Sequence, residues 1–345
     1  MWYLDQTKPI NQYMRTQAQK RQDKLTKPAG SLGEMETVVI QLAGMQGKVC
    51  PTADKPYMCT FAGDHGIASL GVSAYPQTVT RQMLYNFAQG GACISVMTRH
   101  YGAISRVIDC GTLGGAYEAH GIDQQSIAPS THNFLECAAM SDDDCQRALV
   151  IGKNSVEEAV ALGADIYIAG EMGIGNTTSS SVLAGLLLGE RADQLTGLGT
   201  GIDEATFNFK RAVIDQAIDL YQHNEPLTYL QSVAGFEMAA MVGAYLRAAQ
   251  LGMPVIIGGF ISAVCALCAV RINPSVRDYM LFSHKSAEYG NQLVLDALGA
   301  RPLIDLGLRL GEGTGAMTAF GIIQLACAVH RDMATFDEAG VSDRS

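Results

Sequence analysis

The sequence is poor in charge, in large aromatic side chains and above all in basic residues. Charged residues make up 17% of the 345 residues, and aromatic residues make up 7%. The 24 lysines and arginines are outnumbered by 34 acidic residues, and the net charge of −10 has the wrong sign for a general nucleic-acid or anionic-membrane binder. Hydrophobic residues reach 48%. A chain of this composition is too apolar for disorder and long enough to bury a sizeable core.

The motifs of several common sites are also missing. No G-x-S-x-G serine elbow occurs, and the seven histidines show no H-x-x-x-H or H-E-x-x-H spacing. The lone Cys265-x-x-Cys268 lies in an apolar segment without a partner pair. These absences disfavour a serine hydrolase, a zinc site and a redox site. We therefore expect neither a bound metal nor a cofactor.

The cysteines and the apolar runs indicate a cytoplasmic protein without a membrane span. Nine scattered cysteines are an odd number, typical of free thiols in a reducing compartment rather than of a disulfide framework. The first residues, with Asp5 and Lys8, lack the apolar run of a signal peptide. Residues 248–270 and 314–330 carry no charge, but the first is interrupted by proline and glycine and the second is short. We interpret both as buried elements of the fold.

From about residue 55 onward, short apolar runs alternate with helical stretches. Five runs that end in glycine or polar turns are predicted to be strands, at 57–61, 105–109, 165–169, 254–257 and 279–282. Helices are predicted at 77–87, 155–162, 178–188, 204–222, 232–250, 261–270 and 287–298. Repeated strand–turn–helix units of this kind indicate an α/β fold with a Rossmann-like, doubly wound and mostly parallel sheet. Such folds bind ligands at the carboxyl ends of their strands.

The first 50 residues are predicted to form two helices and no strand. Ser31 and Glu34 match the S-x-x-E pattern of a capping box at the start of the second helix. We assign residues 1–55 to a small helical domain and residues 56–311 to a large α/β substrate-binding domain. Residues 312–345 are a C-terminal helical segment that we expect to join the small domain.

The segment GEMGIGNTTSS at 170–180 is predicted to bind an anion. It follows a strand and opens a helix, and its three glycines leave the backbone N–H groups unobstructed. Asn176 and Thr177 add side-chain donors at a helix N-terminus, where unpaired amides and the helix dipole favour a phosphate. The segment lacks the lysine of a P-loop and the spacing of a dinucleotide turn. A sharp glycine turn that binds no ligand would have the same sequence.

A lone glutamate marks the segment RLGEGTGAM at 309–317. Glu312 lies between glycines, just before a long uncharged helix. In apolar surroundings its pKa would be raised by desolvation, which suits a general base. A carboxylate that stabilises a helix N-terminus would have the same sequence, so both interpretations stay open.

Two further segments place polar side chains at the ends of elements. AGDHG at 62–66 puts Asp64 and His65 at a strand end, as a metal pair or an acid/base dyad, but neighbours on an extended strand point to opposite faces, which argues against a shared role. VSAYPQTVTRQM at 72–83 combines Ser73, Tyr75 and Pro76 ahead of a helix, which would suit a flat heteroaromatic ligand. A capped helix with a packed tyrosine is the commoner explanation of the second pattern.

Taken together, these segments resemble the family of nicotinate-nucleotide:dimethylbenzimidazole phosphoribosyltransferases, which make the lower-ligand nucleotide of cobalamin. Each glycine turn alone is a weak signal, but the number and order of the motifs are specific. They run from residue 25 to residue 317: LTKPAGSLGEME, FAGDHGI, VSAYPQTVTRQM, DCGT, AGEMGIGNTTSS, GTGID, GGFISA, SHKSAE and RLGEGTGAM.

The resemblance implies an activity and a site. Members transfer the 5-phosphoribosyl group of nicotinate mononucleotide to 5,6-dimethylbenzimidazole, giving α-ribazole 5′-phosphate and nicotinate. The implied partners are these two small molecules, no nucleic acid, and a second copy of the chain in a homodimer. The implied catalytic residues are Glu312, as general base, and Glu171. The implied phosphoribosyl ligands are Gly173, Gly175, Asn176, Thr177, Lys210, Gly313 and Gly315, and the implied benzimidazole pocket comprises Ser73, Tyr75 and Gln82.

The sequence departs from the family's pattern at three positions, and other functions compete. Gly258 stands where many members have aspartate, and Tyr289 and Asn291 stand where proline and histidine are frequent. The acceptor could also be adenine, another benzimidazole or a phenol. A non-catalytic nucleotide-binding subunit and a dinucleotide oxidoreductase are alternatives of other classes. The presence of Glu312 argues against the first, and the missing G-x-G-x-x-G turn argues against the second.

Overall fold

The computed structural model describes residues 1–115, 117–197 and 203–342, which fold around a six-stranded sheet. All strand pairs in the sheet are parallel, and their spatial order is β3-β2-β1-β4-β5-β6. This is the order of a doubly wound Rossmann fold, so the predicted fold class is confirmed. The strands are β1 (Pro56–Gly63), β2 (Ile104–Gly111), β3 (Asp123–Gln124), β4 (Ile166–Met172), β5 (Val255–Ile257) and β6 (Met280–Phe282).

The five predicted strands match five observed ones, and β3 was missed. It consists of two exposed polar residues, so it carries no apolar signal. The chain reverses its progress across the sheet between β1 and β4, which lie side by side with Phe61 opposite Glu171. A crevice opens at such a switch point, beyond the carboxyl ends of the strands.

Fourteen α-helices occur in the described part of the chain. The prediction missed α4 (Cys93–Tyr101), α7 (Ala192–Leu195), most of α9 (Pro226–Val233) and the N-terminal half of α5 (Asp142–Ala161). The helix predicted at 232–250 corresponds to α10 (Phe236–Leu251), and its first two residues belong to the end of α9. The helices are α1 (Gln12–Lys24), α2 (Glu34–Gln46), α3 (Thr78–Gln89), α4 (Cys93–Tyr101), α5 (Asp142–Ala161), α6 (Asn176–Leu188), α7 (Ala192–Leu195), α8 (Glu204–Tyr221), α9 (Pro226–Val233), α10 (Phe236–Leu251), α11 (Phe260–Ile272), α12 (Asn291–Ala297), α13 (Thr314–Asp332) and α14 (Phe336–Ala339).

Two groups of helices pack against the sheet. Helix α10 contacts β1, β2 and β4 and also packs on α5 and α11, whereas α13 contacts β4 and β5 and packs on α2 and α4. All eight residues of β1 are buried, as expected for a central strand covered on both sides. The uncharged runs at 248–270 and 314–330 lie in α10, β5, α11 and α13. Among the described residues, no helix combines the length and the hydrophobicity that a membrane crossing needs.

The capping box predicted at Ser31 was wrong. The N-cap of α2 is Gly33, at φ 54°, and no side chain caps the helix there. The side chain that binds the loop before α2 is Glu36. It accepts a hydrogen bond from the Leu32 amide at 3.0 Å and forms an ion pair with Lys27 at 2.7 Å. The left-handed glycine turns the chain before the helix, so the serine cannot reach the first helical amides.

The two ends of the chain are joined by buried polar contacts. The Arg21 Nε donates to the His330 carbonyl at 2.7 Å, and Gln22 Nε2 lies 2.8 Å from His330 Nδ1. Leu25 and Thr335 form an isolated antiparallel bridge. These contacts support the expectation that the C-terminal segment joins the N-terminal helices. The division at residues 55/56 and 311/312 stays a prediction.

Candidate active site

A cavity of about 270 Å³ lies at the carboxyl ends of β4, β5 and β6, beside the switch point of the sheet. Strand ends, the turns that follow them and the loop before α13 form its wall. It is large enough for part of a nucleotide and is lined by both polar and apolar groups. Eleven of the twelve residues implied by the resemblance line it: Ser73, Tyr75, Glu171, Gly173, Gly175, Asn176, Thr177, Lys210, Glu312, Gly313 and Gly315.

The twelfth residue, Gln82, lies elsewhere. It is exposed on α3 and does not line the cavity, although Ser73 and Tyr75 of the same motif do. Tyr75 is 60% exposed, so it lies at the cavity mouth rather than in its floor. The role implied for Gln82 stays a prediction. Of the motif GTGID, residues 199–202 fall outside the described residues.

The glycine turn between β4 and α6 forms the floor of the cavity. Gly175, at φ 99°, is the N-cap of α6, a backbone angle that side chains other than glycine rarely adopt. Within the described residues, the amides of Gly173, Gly175 and Thr177 donate no hydrogen bond. Three unpaired donors at a helix N-terminus are the arrangement that binds a phosphate.

Lys210 of α8 adds a cation to this floor. Its Nζ donates to Thr177 Oγ1 at 3.0 Å, and the residue is 8% exposed. Burial lowers the pKa of Lys210, and Glu288, which lines the same cavity, opposes that effect. A lysine held beside the unpaired amides complements a phosphate as a point charge.

Glu171 ends β4 and is held on both oxygens. Asn176 Nδ2 donates to its Oε2, and the backbone amide of Glu312 donates to its Oε1 at 3.2 Å. Burial, followed by the charge of Glu237, raises the pKa of Glu171 to about 8, although the two donors oppose the shift. The carboxyl group is thus fixed in position, and its burial makes it costly to ionise.

Glu312 is the second carboxylate of the cavity. Its φ is 62°, between Gly311 at 87° and Gly313 at 85°, so three consecutive residues have left-handed backbone angles. Such strain in a residue other than glycine is typical of functional sites. The residue is 7% exposed in total and its Oε2 has no hydrogen-bond partner among the described residues. Burial raises the pKa of Glu312, opposed by the Ile94 amide at the start of α4.

The two carboxylates are held together by close backbone packing. A Cβ placed on Gly170 would lie 2.6 Å from the carbonyl carbon of Glu312. A Cβ on Gly311 would lie 2.6 Å from Glu171 Oε1. These glycines let the last residues of β4 and the turn before α13 touch, which brings residues far apart in sequence into one cavity.

The wall formed by β5 and β6 contains further polar side chains, one of them from the polar turn that the sequence predicted after β6. His284 lines the cavity, bonds Ser283 Oγ through its Nδ1 at 2.9 Å, and has a pKa lowered by burial. A Cβ on Gly259 would lie 3.5 Å from the His284 ring, and Gly315 lies against the same ring more closely still. Arg309 also lines the cavity. The polar turn after β6 and the motif around Glu312 were the available signals, but neither indicates a direction for these side chains.

The three departures from the family pattern lie in different surroundings. Gly258 lines the cavity and its amide donates to Ser262 Oγ at 2.9 Å. A Cβ there would lie 3.5 Å from Ser262 Cβ, which is ordinary van der Waals contact, so the position has room for a side chain. Tyr289 is 59% exposed, whereas Asn291 is fully buried and neither amide atom has a partner among the described residues.

Asp64 and His65 lie behind the cavity wall and are not among its lining residues. Asp64 accepts from Thr80 Oγ1 at 2.7 Å and from the Leu113 amide at 2.9 Å. His65 bonds Glu237 and Ser179 instead. The two side chains share no partner, as their alternation along the strand predicted. In the described ranges, no three His, Cys, Asp or Glu side chains are grouped to hold a metal ion.

The fold and the cavity define a class: an α/β protein with a cavity at the switch point of a parallel sheet, where unpaired backbone amides lie near two carboxyl groups. The comparisons agree. A family model described as "Phosphoribosyltransferase" matches residues 7–341, so the chain belongs to this family of phosphoribosyltransferases.

Relatives of known name cover the whole chain. The nicotinate-nucleotide--dimethylbenzimidazole phosphoribosyltransferase of Pseudomonas putida is 48% identical over 99% of this chain and 98% of its own length. That of Azotobacter vinelandii is 49% identical over the same shares. The crystal structure of CobT from Thermus thermophilus is 39% identical, has a TM-score of 0.92, and is matched over 96% of this chain and 100% of its own.

Proposed function

We propose that the protein transfers the 5-phosphoribosyl group of nicotinate mononucleotide to 5,6-dimethylbenzimidazole, giving α-ribazole 5′-phosphate and nicotinate. The relatives that align with 99% of this chain are named for this reaction. The observation that supports the assignment of roles is the cavity itself, which is lined both by the turn with unpaired amides and by Glu312, whose Oε2 has no partner among the described residues.

The donor's phosphate would bind the amides of Gly173, Gly175 and Thr177, with Lys210 beside them. The ribose would then lie toward Glu171, whose fixed carboxyl group can hydrogen-bond the ribose hydroxyls. The bond that breaks joins that carbon to a cationic pyridinium nitrogen. Nicotinate leaves with the bonding electron pair as a neutral ring, so its departure needs no general acid.

The acceptor would lie between the ribose and Glu312, with Ser73 and Tyr75 toward the mouth. The unprotonated ring nitrogen of the benzimidazole attacks the anomeric carbon, and the other nitrogen then carries a proton of increasing acidity. Glu312 accepts that proton on its free oxygen, which balances the charge of the product. General-base catalysis of this kind contributes about 10²–10⁴-fold, and holding both rings against the reacting carbon contributes the larger entropic share.

The test is incubation of the purified protein with both substrates, followed by identification of α-ribazole 5′-phosphate. We expect the Glu312→Ala variant to lose at least about 100-fold in turnover while nicotinate mononucleotide still binds. Glu118→Ala, at an exposed position outside the cavity, is the matched control and should leave turnover unchanged. A loss of less than about tenfold in Glu312→Ala would contradict the role of Glu312 as base.

Two properties complete the proposal. We infer a homodimer, as the resemblance implies. We also infer a cytoplasmic location, because nine free cysteines are consistent with a reducing compartment. A competition assay determines the preferred acceptor. In a mixture of adenine, phenol and dimethylbenzimidazole, we expect dimethylbenzimidazole to be consumed before the other two.

A further inference from the structure

The motif AGDHG has no role in the reaction as described, yet it lies next to the phosphate floor. In the register of the sheet, Ala62 of β1 is opposite Met172 of β4. The two strands therefore end next to each other. The residues that follow them, Asp64 and His65 after β1 and Gly173 after β4, are neighbours in the fold. The motif is separated from the glycine turn by more than about 100 positions in the sequence but adjoins it in the fold.

His65 packs directly behind the glycine turn. A Cβ on Gly173 would lie 3.1 Å from His65 Nε2, and a Cβ on Gly175 would lie 3.3 Å from His65 Cβ. The ring is fixed at both nitrogens, by Glu237 Oε1 at 2.6 Å and by Ser179 Oγ at 2.8 Å. All three side chains are at most 1% exposed. Because Ser179 belongs to α6, the ring binds the same helix that the turn opens.

Asp64 holds the turn from a second direction. Its Oδ1 accepts from the Thr80 hydroxyl at 2.7 Å, and Thr80 Oγ1 in turn accepts from the Ile174 amide at 3.2 Å. The Ile174 amide is therefore engaged on the side of α3. The amides of Gly173 and Gly175, on either side of it, have no partner among the described residues and form part of the cavity floor.

The energetics favour a geometric role for these contacts. A buried polar network stabilises a fold fully only when each of its polar atoms has a partner. Here one oxygen of Glu237 has no partner among the described residues, so the network is not optimised for stability. A phosphate site made of backbone amides, by contrast, depends on holding each N–H in place before the ligand arrives.

We propose that Asp64 and His65 are positioning residues for the phosphate site, acting through Thr80 on one side and through Glu237 and Ser179 on the other to hold residues 173–175. This inference rests on the proposed function, because it takes the phosphate of nicotinate mononucleotide as the ligand of the turn. Neither residue touches substrate.

The test compares two donors, nicotinate mononucleotide and the unphosphorylated nicotinate riboside. Thr80→Val removes the hydroxyl that links Asp64 to the Ile174 amide with little change in shape. We expect it to raise KM for the mononucleotide about tenfold, the cost of one hydrogen bond, with kcat changed less than about threefold. With the riboside, kcat/KM should change less than about twofold, since there is no phosphate to position.

His65→Ala should have the same signature, and His65→Gln, whose amide can still donate to Glu237, should recover most of the wild-type KM. Thr98→Val is the matched control: its buried hydroxyl donates to the Ser95 carbonyl in α4, and it does not line the cavity. Thermal unfolding establishes that each variant is folded. Equal losses with both donors would overturn the proposal, because a merely structural role would affect both alike.

Binding of inorganic phosphate, measured by calorimetry, separates this proposal from the proposed function. We expect Thr80→Val to bind orthophosphate about tenfold more weakly than the wild type and Thr98→Val to bind it equally well. That difference would stand even if the wild type formed no α-ribazole 5′-phosphate, in which case only the proposed function fails. Equal phosphate affinity in wild type and Thr80→Val would overturn the positioning role.

Discussion

The two carboxylates of the cavity are held in opposite ways. Glu171 ends a central strand and accepts a hydrogen bond on each oxygen, from Asn176 and from the Glu312 amide. Glu312 sits in a strained turn between two glycines, and its Oε2 has no partner among the described residues. Burial raises the pKa of both groups.

The difference separates a fixed group from an available one. A carboxyl group with both oxygens engaged has a set position, which suits orientation of the ribose. A carboxylate with a free oxygen and a raised pKa suits proton transfer near neutral pH. Two glutamates in one cavity thus suit different roles, because the backbone and its hydrogen bonds hold their side chains differently.

The largest loss of turnover should come from separating the end of β4 from the turn that carries Glu312. In Gly170→Ala, the new Cβ would lie 2.6 Å from the carbonyl carbon of Glu312 and 2.5 Å from Met58 Cε, so the Glu312 turn must move. A displacement near 1 Å at a reacting group can cost about 100-fold, and we expect turnover to fall by that order. Steady-state kinetics of the purified variant measures it.

A strained glycine away from the cavity is the control for this change. Gly163 has φ 72° and open space around its Cβ position, so Gly163→Ala should lose about 1 kcal/mol of stability without losing turnover. If Gly170→Ala kept most of its turnover, the contact between the turns would not be what positions Glu312.

The next effect is on stability and concerns Glu171 alone. Its folded pKa is about 8, above an ordinary value of 4.5, so between these values the folded state holds a proton that the unfolded state has lost. The free energy of unfolding therefore falls as pH rises through this window, by about 1.4 kcal/mol per pH unit from this group. Glu171→Gln cannot ionise and should lack this contribution.

Urea unfolding of both proteins at about pH 5 and about pH 8 provides the measurement. The wild type should lose stability relative to Glu171→Gln on going to the higher pH, while at the lower pH the two should differ least. Glu118→Gln, at an exposed position, controls for the loss of one acidic group. A constant difference at the two pH values would mean that Glu171 ionises at its ordinary pKa.

Much of this arrangement could be predicted from the sequence, and the limits have physical causes. Strands rich in apolar residues and glycine turns after them are local signals, so five strands were predicted correctly. The resemblance, carried by the order of these motifs, implied the two glutamates as residues of one site. The bond from the Glu312 amide to Glu171 was not predicted, because it joins positions 141 residues apart and no residue type specifies such a distance. Gln82 lay in a matching motif, yet helical periodicity turns it toward solvent.

The same limit applies to the support of the phosphate floor. Asp64 and His65 were predicted to have separate roles, because neighbouring side chains on a strand point to opposite faces. The residues to which they hydrogen-bond could not be inferred from the sequence. Glu237 lies in an apolar helix, where one glutamate carries no pattern. Ser31 shows the converse error: its spacing to Glu34 matched a capping box, but the left-handed Gly33 took the N-cap position.

The smallest expected effect reports whether Glu312 is ionised. Cys93, at the start of α4, is exposed, and its pKa is raised by partial burial and then by the charge of Glu312. Removing that charge in Glu312→Gln should lower the pKa of the thiol and increase its thiolate fraction at about pH 8. Because the thiolate is the reactive form, we expect Cys93 to react with dithiobis(nitrobenzoate) about twofold faster. Cys93→Ser identifies its share of the signal, and the exposed Cys137 is the internal reference. An unchanged rate would mean that Glu312 is neutral at about pH 8. A carboxyl group that is still protonated at that pH could not accept the benzimidazole proton at neutral pH.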